Sequence, residues 1–211
     1  MSKFAAIAWD LDGTLVDSEG LHSRALFETC RALGVDLSDL PDQAFSGVHM
    51  LDVWTALRPR LPARVERGEW LAAVENYYMA HAHELVAMPE AVETVRELAA
   101  LGVPQACVSN SGRQVVDANI AALGLAEPLA FSVSLDDVVL GKPDPEPYRL
   151  AAHRLGALPA AVVAVEDSAA GARSARAAGL FVARYAPTGE RVGEGDFWAT
   201  RLSQIRGLFT R

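Results

Sequence analysis

The chain has 211 residues, 51% of them hydrophobic and 22% charged, with 19 basic and 27 acidic side chains for a formal net charge of −8. That is enough apolar material for a packed core, and too little charge density for a disordered chain. An acidic chain repels nucleic acid and anionic lipid over long range, so neither is a default partner; an anionic ligand must be met by a local device such as a metal ion or a helix N-terminus.

The first apolar run, residues 4–9, stops at Asp10 and is too short for the core of a secretory signal. It is expected to be a buried strand. No run reaches the roughly 20 apolar residues of a membrane helix, so the expectation is a soluble, cytoplasmic protein with no obligate protein partner. From Leu21 to Val86 there is no strand pattern, only helical periodicity cut by Pro41, Pro59 and Pro62. Within it, residues 70–78 are strongly helical in pattern, and Trp54, Trp70, Tyr77 and Tyr78 read as packing residues. His81 and His83, two apart on a helix, do not share a face and are not read as ligands.

Beyond that segment short apolar runs and helical stretches alternate. Strands are expected at 104–108, 130–133, 161–165 and 180–184, and helices at 89–101, 114–123, 145–155 and 169–178. Gly102, Gly124 and Gly179 mark helix stops. The alternation predicts an α/β fold, a doubly wound parallel sheet built from residues 1–17 and 87–211, with an all-helical domain inserted at 18–86. The tail after Pro187, with Gly189, Gly193, Gly195 and Gly207, is loop-rich and weakly informative. Cys30 and Cys107 lie in apolar stretches without short Cys or His spacing, against a disulfide framework and against a zinc site.

Ligands of open α/β sheets bind at the carboxyl ends of the strands. There the sequence places Asp10-Leu11-Asp12-Gly13-Thr14, then Ser109-Asn110-Ser111-Gly112, then Gly141-Lys142-Pro143, then Glu166-Asp167-Ser168. Carboxylates crowded in this way repel one another, and a hard divalent cation relieves the conflict. Mg2+ accepts a few carboxylates together with phosphate oxygens, so the pattern points to a phosphate-handling metal site. The chain has two lysines, Lys3 and Lys142, against seventeen arginines, which singles out Lys142.

Asp10-x-Asp12-Gly13-Thr14-Leu15-Val16-Asp17-Ser18 resembles the first motif of the haloacid dehalogenase superfamily. Ser109-Asn110, Lys142-Pro143 and Glu166-Asp167 resemble its second, third and fourth motifs, in order. The stretch from Val165 through Gly171, followed by Ala175-Arg176-Ala177-Ala178-Gly179, is similar to the β-phosphoglucomutase-like and sugar-phosphatase branch, where a helical cap follows the first motif. The resemblance implies Asp10 as nucleophile, Asp12 as general acid and base, Ser109 and Asn110 as phosphoryl or substrate contacts, and Lys142 as the neutralising cation. It implies Mg2+ held by Asp10, Asp12 through its carbonyl, and Asp167, with Glu166 as ligand or support. His22, twelve residues after Asp10, falls where similar mutases place a histidine that assists the acid, and is equally read as a helix-surface histidine. His49 falls where related caps touch substrate.

The activity so implied is a phosphatase acting on a small phosphorylated metabolite such as a sugar phosphate or phosphoglycolate. Dehalogenation has no use for Asp12 or for the Glu166-Asp167 pair. Phosphonoacetaldehyde hydrolysis needs a cap lysine, and none lies between Lys3 and Lys142. A β-phosphoglucomutase grips a second phosphate with a cap arginine and a cap lysine; here Arg58, Arg60, Arg64 and Arg67 are the available cations, and the phosphatase is preferred. A non-catalytic regulator is disfavoured because Asp10 and Asp12 are both present.

Overall fold

The computed structural model describes residues 3–41, 44, 45, 48 and 50–210. The chain forms two compact units, Met1–Asp17 with Val86–Arg211, and Ser18–Leu85.

In the first unit six parallel strands run in the order β5-β4-β1-β6-β7-β8. They are β1 (Ala6–Trp9), β4 (Gln105–Val108), β5 (Phe131–Val133), β6 (Val162–Glu166), β7 (Phe181–Tyr185) and β8 (Phe197–Ala199). β1, β4 and β6 are buried at every residue, because helices cover both faces of such a sheet and leave no polar side to alternate. The strands are joined by α4 (Ala91–Ala100), α5 (Arg113–Ala122), α6 (Glu146–Arg154) and α7 (Ala169–Ala177). The expected α/β architecture is therefore present. Each of these helices lies within its expected span, except that α5 begins one residue earlier.

On one face, Ala6, Ala8, Val162, Ala164 and Val182 of the strands pack with Tyr148, Ala151 and Ala152 of α6 and with Ala172 and Ala175 of α7. Alanine on both sides of this layer permits close approach of helix and sheet. Elsewhere in the core the fully buried indole of Trp9 donates to Gln105 Oε1 (2.8 Å), whose amide donates to the Val95 carbonyl (2.8 Å). Both polar groups of that pair are thus satisfied away from water.

The loop-rich tail also holds a strand, since Phe197–Ala199 adds β8 in parallel beside β7. One expectation needs correction. Val86, read as part of a strandless segment, pairs with Asp17 in a two-residue antiparallel ribbon of β2 (Val16–Asp17) and β3 (Val86–Ala87). Both pieces are too short to carry a periodic signal.

The second unit holds α1 (Glu19–Ala32), α2 (Met50–Leu57) and α3 (Arg67–His81), with a single 3₁₀ turn at Ala82–Glu84. Trp70, Val74 and Tyr78 recur at intervals of four on α3 and are its buried stripe. Trp70 packs against Trp54 with ring centroids 5.5 Å apart. Arg60 ties the unit together through Asp39 (2.7 Å) and the Asp36 carbonyl. Cys30 and Cys107 are free thiols. Among the described residues no helix is long and apolar enough to cross a membrane.

Candidate active site

The site is built where β1, β4 and β6 end. Asp10 follows β1 directly and its amide donates to the Val165 carbonyl (2.9 Å), which fixes the chain as it leaves the sheet. The next turn is tight: the amides of Thr14, Leu15 and Val16 all reach the Leu11 carbonyl. Gly13 sits in it with φ of 80°, and a Cβ there would stand 2.3 Å from Asp167 Oδ2. Only glycine meets both demands.

Lys142 is the centre of the arrangement. Its Nζ donates to Asp10 Oδ1 (2.6 Å), Glu166 Oε1 (2.6 Å) and the Val108 carbonyl (2.8 Å), with the side chain 4% exposed. Burial pushes its pKa down, but the Asp10 and Glu166 carboxylates outweigh burial and hold the ammonium well above its ordinary range. Asn110, expected to contact substrate, bonds both ends of its side-chain amide to the Lys142 backbone, donating to its carbonyl (2.9 Å) and accepting from its amide (2.7 Å). Asn110 is thus a brace for the lysine loop.

Glu166 is fully buried at the end of β6. Besides Lys142 it accepts from the Tyr148 hydroxyl (2.6 Å, at Oε1) and from Ser168 Oγ (3.0 Å, at Oε2). A Cβ on Gly171 would fall 1.9 Å from Oε1 and 2.0 Å from Oε2, so the carboxylate occupies the space left by the missing side chain. Gly171 enters the motif as a residue whose physical reason the sequence does not show; this close approach is the reason. Tyr148 was missed, because a tyrosine on the buried face of an amphipathic helix looks like core.

Asp12 is bonded to the loop that follows β4 and to α5. Its Oδ2 accepts from Ser109 Oγ (3.1 Å) and Ser111 Oγ (3.0 Å), and its Oδ1 lies 3.3 Å from Asn119 Nδ2. Hydroxyl and amide donors thus reach Asp12, whereas an ammonium is bonded to Asp10. Asn119, buried on α5, carried no signal in the sequence beyond being polar on an apolar face.

Asp10, Glu166 and Asp167 each offer a carboxylate oxygen within 4.8 Å of the others. The Asp12 side chain is not in that group, and its expected share in metal binding was through its carbonyl. Burial is the main cause that raises the Asp10 carboxyl to about 7, opposed by Lys142 and aided by Asp167 and Asp12. Burial, then the Glu166 charge, raises Asp167 to about 6. Burial, then Asp10, raises Glu166 as well. One lysine therefore does not neutralise the three carboxylates. The donor set consists of hard oxygens, which suits Mg2+ or a similar cation.

The other expected site residues lie outside the first unit. His22 is on α1, its ring stacked on the buried Tyr78 ring with centroids 4.4 Å apart. His49 falls outside the described residues.

A family profile described as haloacid dehalogenase-like hydrolase matches residues 4–179. The chain belongs to that family. This hydrolase is 33% identical to hexitol phosphatase A of Escherichia coli K12 over 201 residues, covering 93% of this chain and 91% of that one. It is 27% identical to validoxylamine A 7'-phosphate phosphatase of Streptomyces hygroscopicus subsp. limoneus, covering 94% of each chain. In structure it superposes on CbbY from Rhodobacter sphaeroides, solved in complex with phosphate, with a TM-score of 0.86 at 27% identity, covering 98% of this chain and all of that one.

Proposed function

We propose that the hydrolase is a Mg2+-dependent phosphatase that cleaves small phosphomonoesters through an aspartyl-phosphate on Asp10. The observation that carries this reading is the contrast between the two aspartates: Asp10 is bonded to the buried Lys142, while Asp12 rests among serine hydroxyls. The adjacent ammonium favours the ionised nucleophile against the burial that raises Asp10 to about 7, and hydroxyls can donate to a carboxylate or accept from a carboxylic acid, which suits a group that takes up and releases a proton.

In the first step an Asp10 oxygen bonds to phosphorus and the ester P–O bond breaks, while Asp12 gives its proton to the leaving oxygen. In the second, Asp12 takes a proton from water, whose oxygen bonds to phosphorus as the Asp10 carboxylate departs. Lys142 offsets charge on Asp10 and on the phosphoryl group throughout, and Asn110 and Glu166 keep its ammonium in place. Ser109, 2% exposed and already within reach of Asp12, is assigned to the phosphoryl oxygens. Asp10, the Asp12 carbonyl and Asp167, with Glu166 as their support, would hold Mg2+, which would supply the positive charge that phosphoryl transfer requires.

The substrate class assigned is polyhydroxylated phosphate esters, sugar or sugar-alcohol phosphates. Support comes from the two curated relatives, whose names specify hexitol phosphates and a validoxylamine phosphate. The helical segment 18–86, carrying His22 and His49, is assigned as the cap that selects among them. The mutase reading loses support within that segment. Arg58 is directed at the Leu61, Pro62 and Ala63 carbonyls, and Arg60 at Asp39 and the Asp36 carbonyl. Two of the four arginines that could grip a second phosphate therefore have duties within the fold.

The test is a panel of phosphorylated metabolites assayed with and without Mg2+, including β-glucose 1-phosphate primed with its bisphosphate. Mg2+-dependent phosphate release from sugar or sugar-alcohol phosphates is expected. Conversion of β-glucose 1-phosphate to glucose 6-phosphate without release would assign the mutase instead.

A further inference from the structure

The backbone that carries Lys142 is tied at several points. Asn110 clamps its amide and carbonyl, Glu146 accepts from the amides of Val139 (3.0 Å) and Leu140 (2.9 Å), and Ser174 Oγ donates to the Asp144 carbonyl. None of these bonds fixes the end of a flexible four-carbon side chain. Three acceptors meet that end: Asp10 Oδ1, Glu166 Oε1 and the Val108 carbonyl. In the reaction assigned above the Asp10 carboxylate is phosphorylated, so it is not a constant anchor. The Val108 carbonyl is set by β4. Glu166 is itself a side chain and needs a support of its own.

Tyr148 supplies that support. It lies on α6 and is fully buried. Its hydroxyl donates to the same Glu166 oxygen that accepts from Lys142, and each of the two bonds is 2.6 Å long. The ammonium stands over the tyrosine ring, with Nζ 5.1 Å from the ring centre, within reach of a cation–π contact. Rotation of the carboxylate would break both bonds to Oε1, and a buried charge stripped of donors is costly. Lysine, glutamate and tyrosine, drawn from the loop before α6, from β6 and from α6, thus hold one another.

We propose that Tyr148 is a positioning residue, whose hydroxyl fixes Glu166 and through it the Lys142 ammonium in the phosphoryl-transfer site. The phenol takes no part in bond making. Its kinetic consequence rests on the phosphatase reading, whereas its effect on the lysine side chain does not.

The experiment uses the fact that the chain has one other lysine, Lys3. Lysine labelled with 13C at Cε gives two signals, which Lys3→Arg assigns, and their relaxation reports how firmly each side chain is held. Well below Tm, the Lys142 Cε order parameter is expected near the rigid value of about 0.85 in wild type, and below about 0.6 in Tyr148→Phe, which keeps the ring and loses the hydroxyl. In the same variant kcat for phosphate release is expected to fall about tenfold with KM unchanged, equivalent to about 1.4 kcal/mol. In a Glu166→Ala background Tyr148→Phe should alter neither readout further. A merely structural tyrosine would lower Tm and leave both readouts at their wild-type values. A wild-type order parameter or a wild-type kcat in Tyr148→Phe therefore overturns the proposal, as does an equal fall of kcat in both backgrounds. If wild type releases no phosphate from any ester of the panel, the phosphatase reading fails, and the order parameter alone decides the role of Tyr148.

Discussion

Gly171→Ala is the sharpest test of how the site is held. Helix propensity alone favours the substitution by about 1 kcal/mol, and Gly171 lies inside α7. The surroundings dictate the opposite sign. The new methyl would stand about 2 Å from every atom of the Glu166 carboxyl group, so the carboxylate must leave its position. It accepts three bonds there, from Lys142, Tyr148 and Ser168. Loss of two of them, at about 1.5–3 kcal/mol for each bond to a charged group, gives roughly 3–6 kcal/mol. The helix gain leaves a net destabilisation of roughly 2–5 kcal/mol, or about 4–20 °C in Tm for a chain of this size. Melting curves of the single variants and of the pair with Glu166→Ala form a double-mutant cycle. In the Glu166→Ala background the alanine should become neutral or stabilising. A Gly171→Ala protein as stable as wild type, or equally destabilised in both backgrounds, would refute the steric argument.

Three further outcomes are expected. Asp10→Asn should reduce phosphate release to background, whereas Asp12→Asn should lower kcat by about 10²–10⁴-fold; wild-type turnover in Asp10→Asn would end the nucleophile assignment. Asp10 and Asp167, raised from 3.8 to about 7 and about 6, bind more protons folded than unfolded between those values. Their contribution to stability is therefore full below about pH 4 and lost as pH rises through 6 and 7. Mg2+ should accordingly raise Tm more at pH 8 than at pH 5 relative to chelator, and the reverse order in melts would contradict the carboxylate account. His22→Ala removes a ring pair worth about 0.5–1.5 kcal/mol and should lower Tm modestly while costing far less turnover than Asp10→Asn; a kcat loss comparable to that of Asp10→Asn would give His22 a direct part in the chemistry.

The sheet was legible because its strands are continuous apolar runs that end in charged residues, a pattern that β1 and β6 show plainly. The ends of those runs also pointed to Asp10, Asp12, Lys142, Glu166 and Asp167, since carboxylates at an apolar boundary call for a reason. β8 escaped notice because three residues in a glycine-rich tail have no period, and because its partner β7 lies far from it in pattern though near in sequence. The supporting residues were hidden for a different reason. Tyr148 and Asn119 sit on buried helix faces, and their value lies in a single oxygen or nitrogen that meets a carboxylate from another element. Asn110 was visible but its duty was not, since the Lys142 backbone it clamps lies 32 residues away.

The scarcity of lysine gives the folded protein an internal chemical reporter. Lys3 is exposed, while the Lys142 amine is buried, protonated and bonded to three acceptors. Acylating reagents should therefore label the native chain at Lys3 and reach Lys142 only when the centre of the site opens. The acylation rate at position 142 thus measures local opening in solution, with no residue replaced and no substrate required. The same asymmetry makes coupling through lysine amines orientation-selective, since surface attachment at Lys3 leaves the buried ammonium untouched.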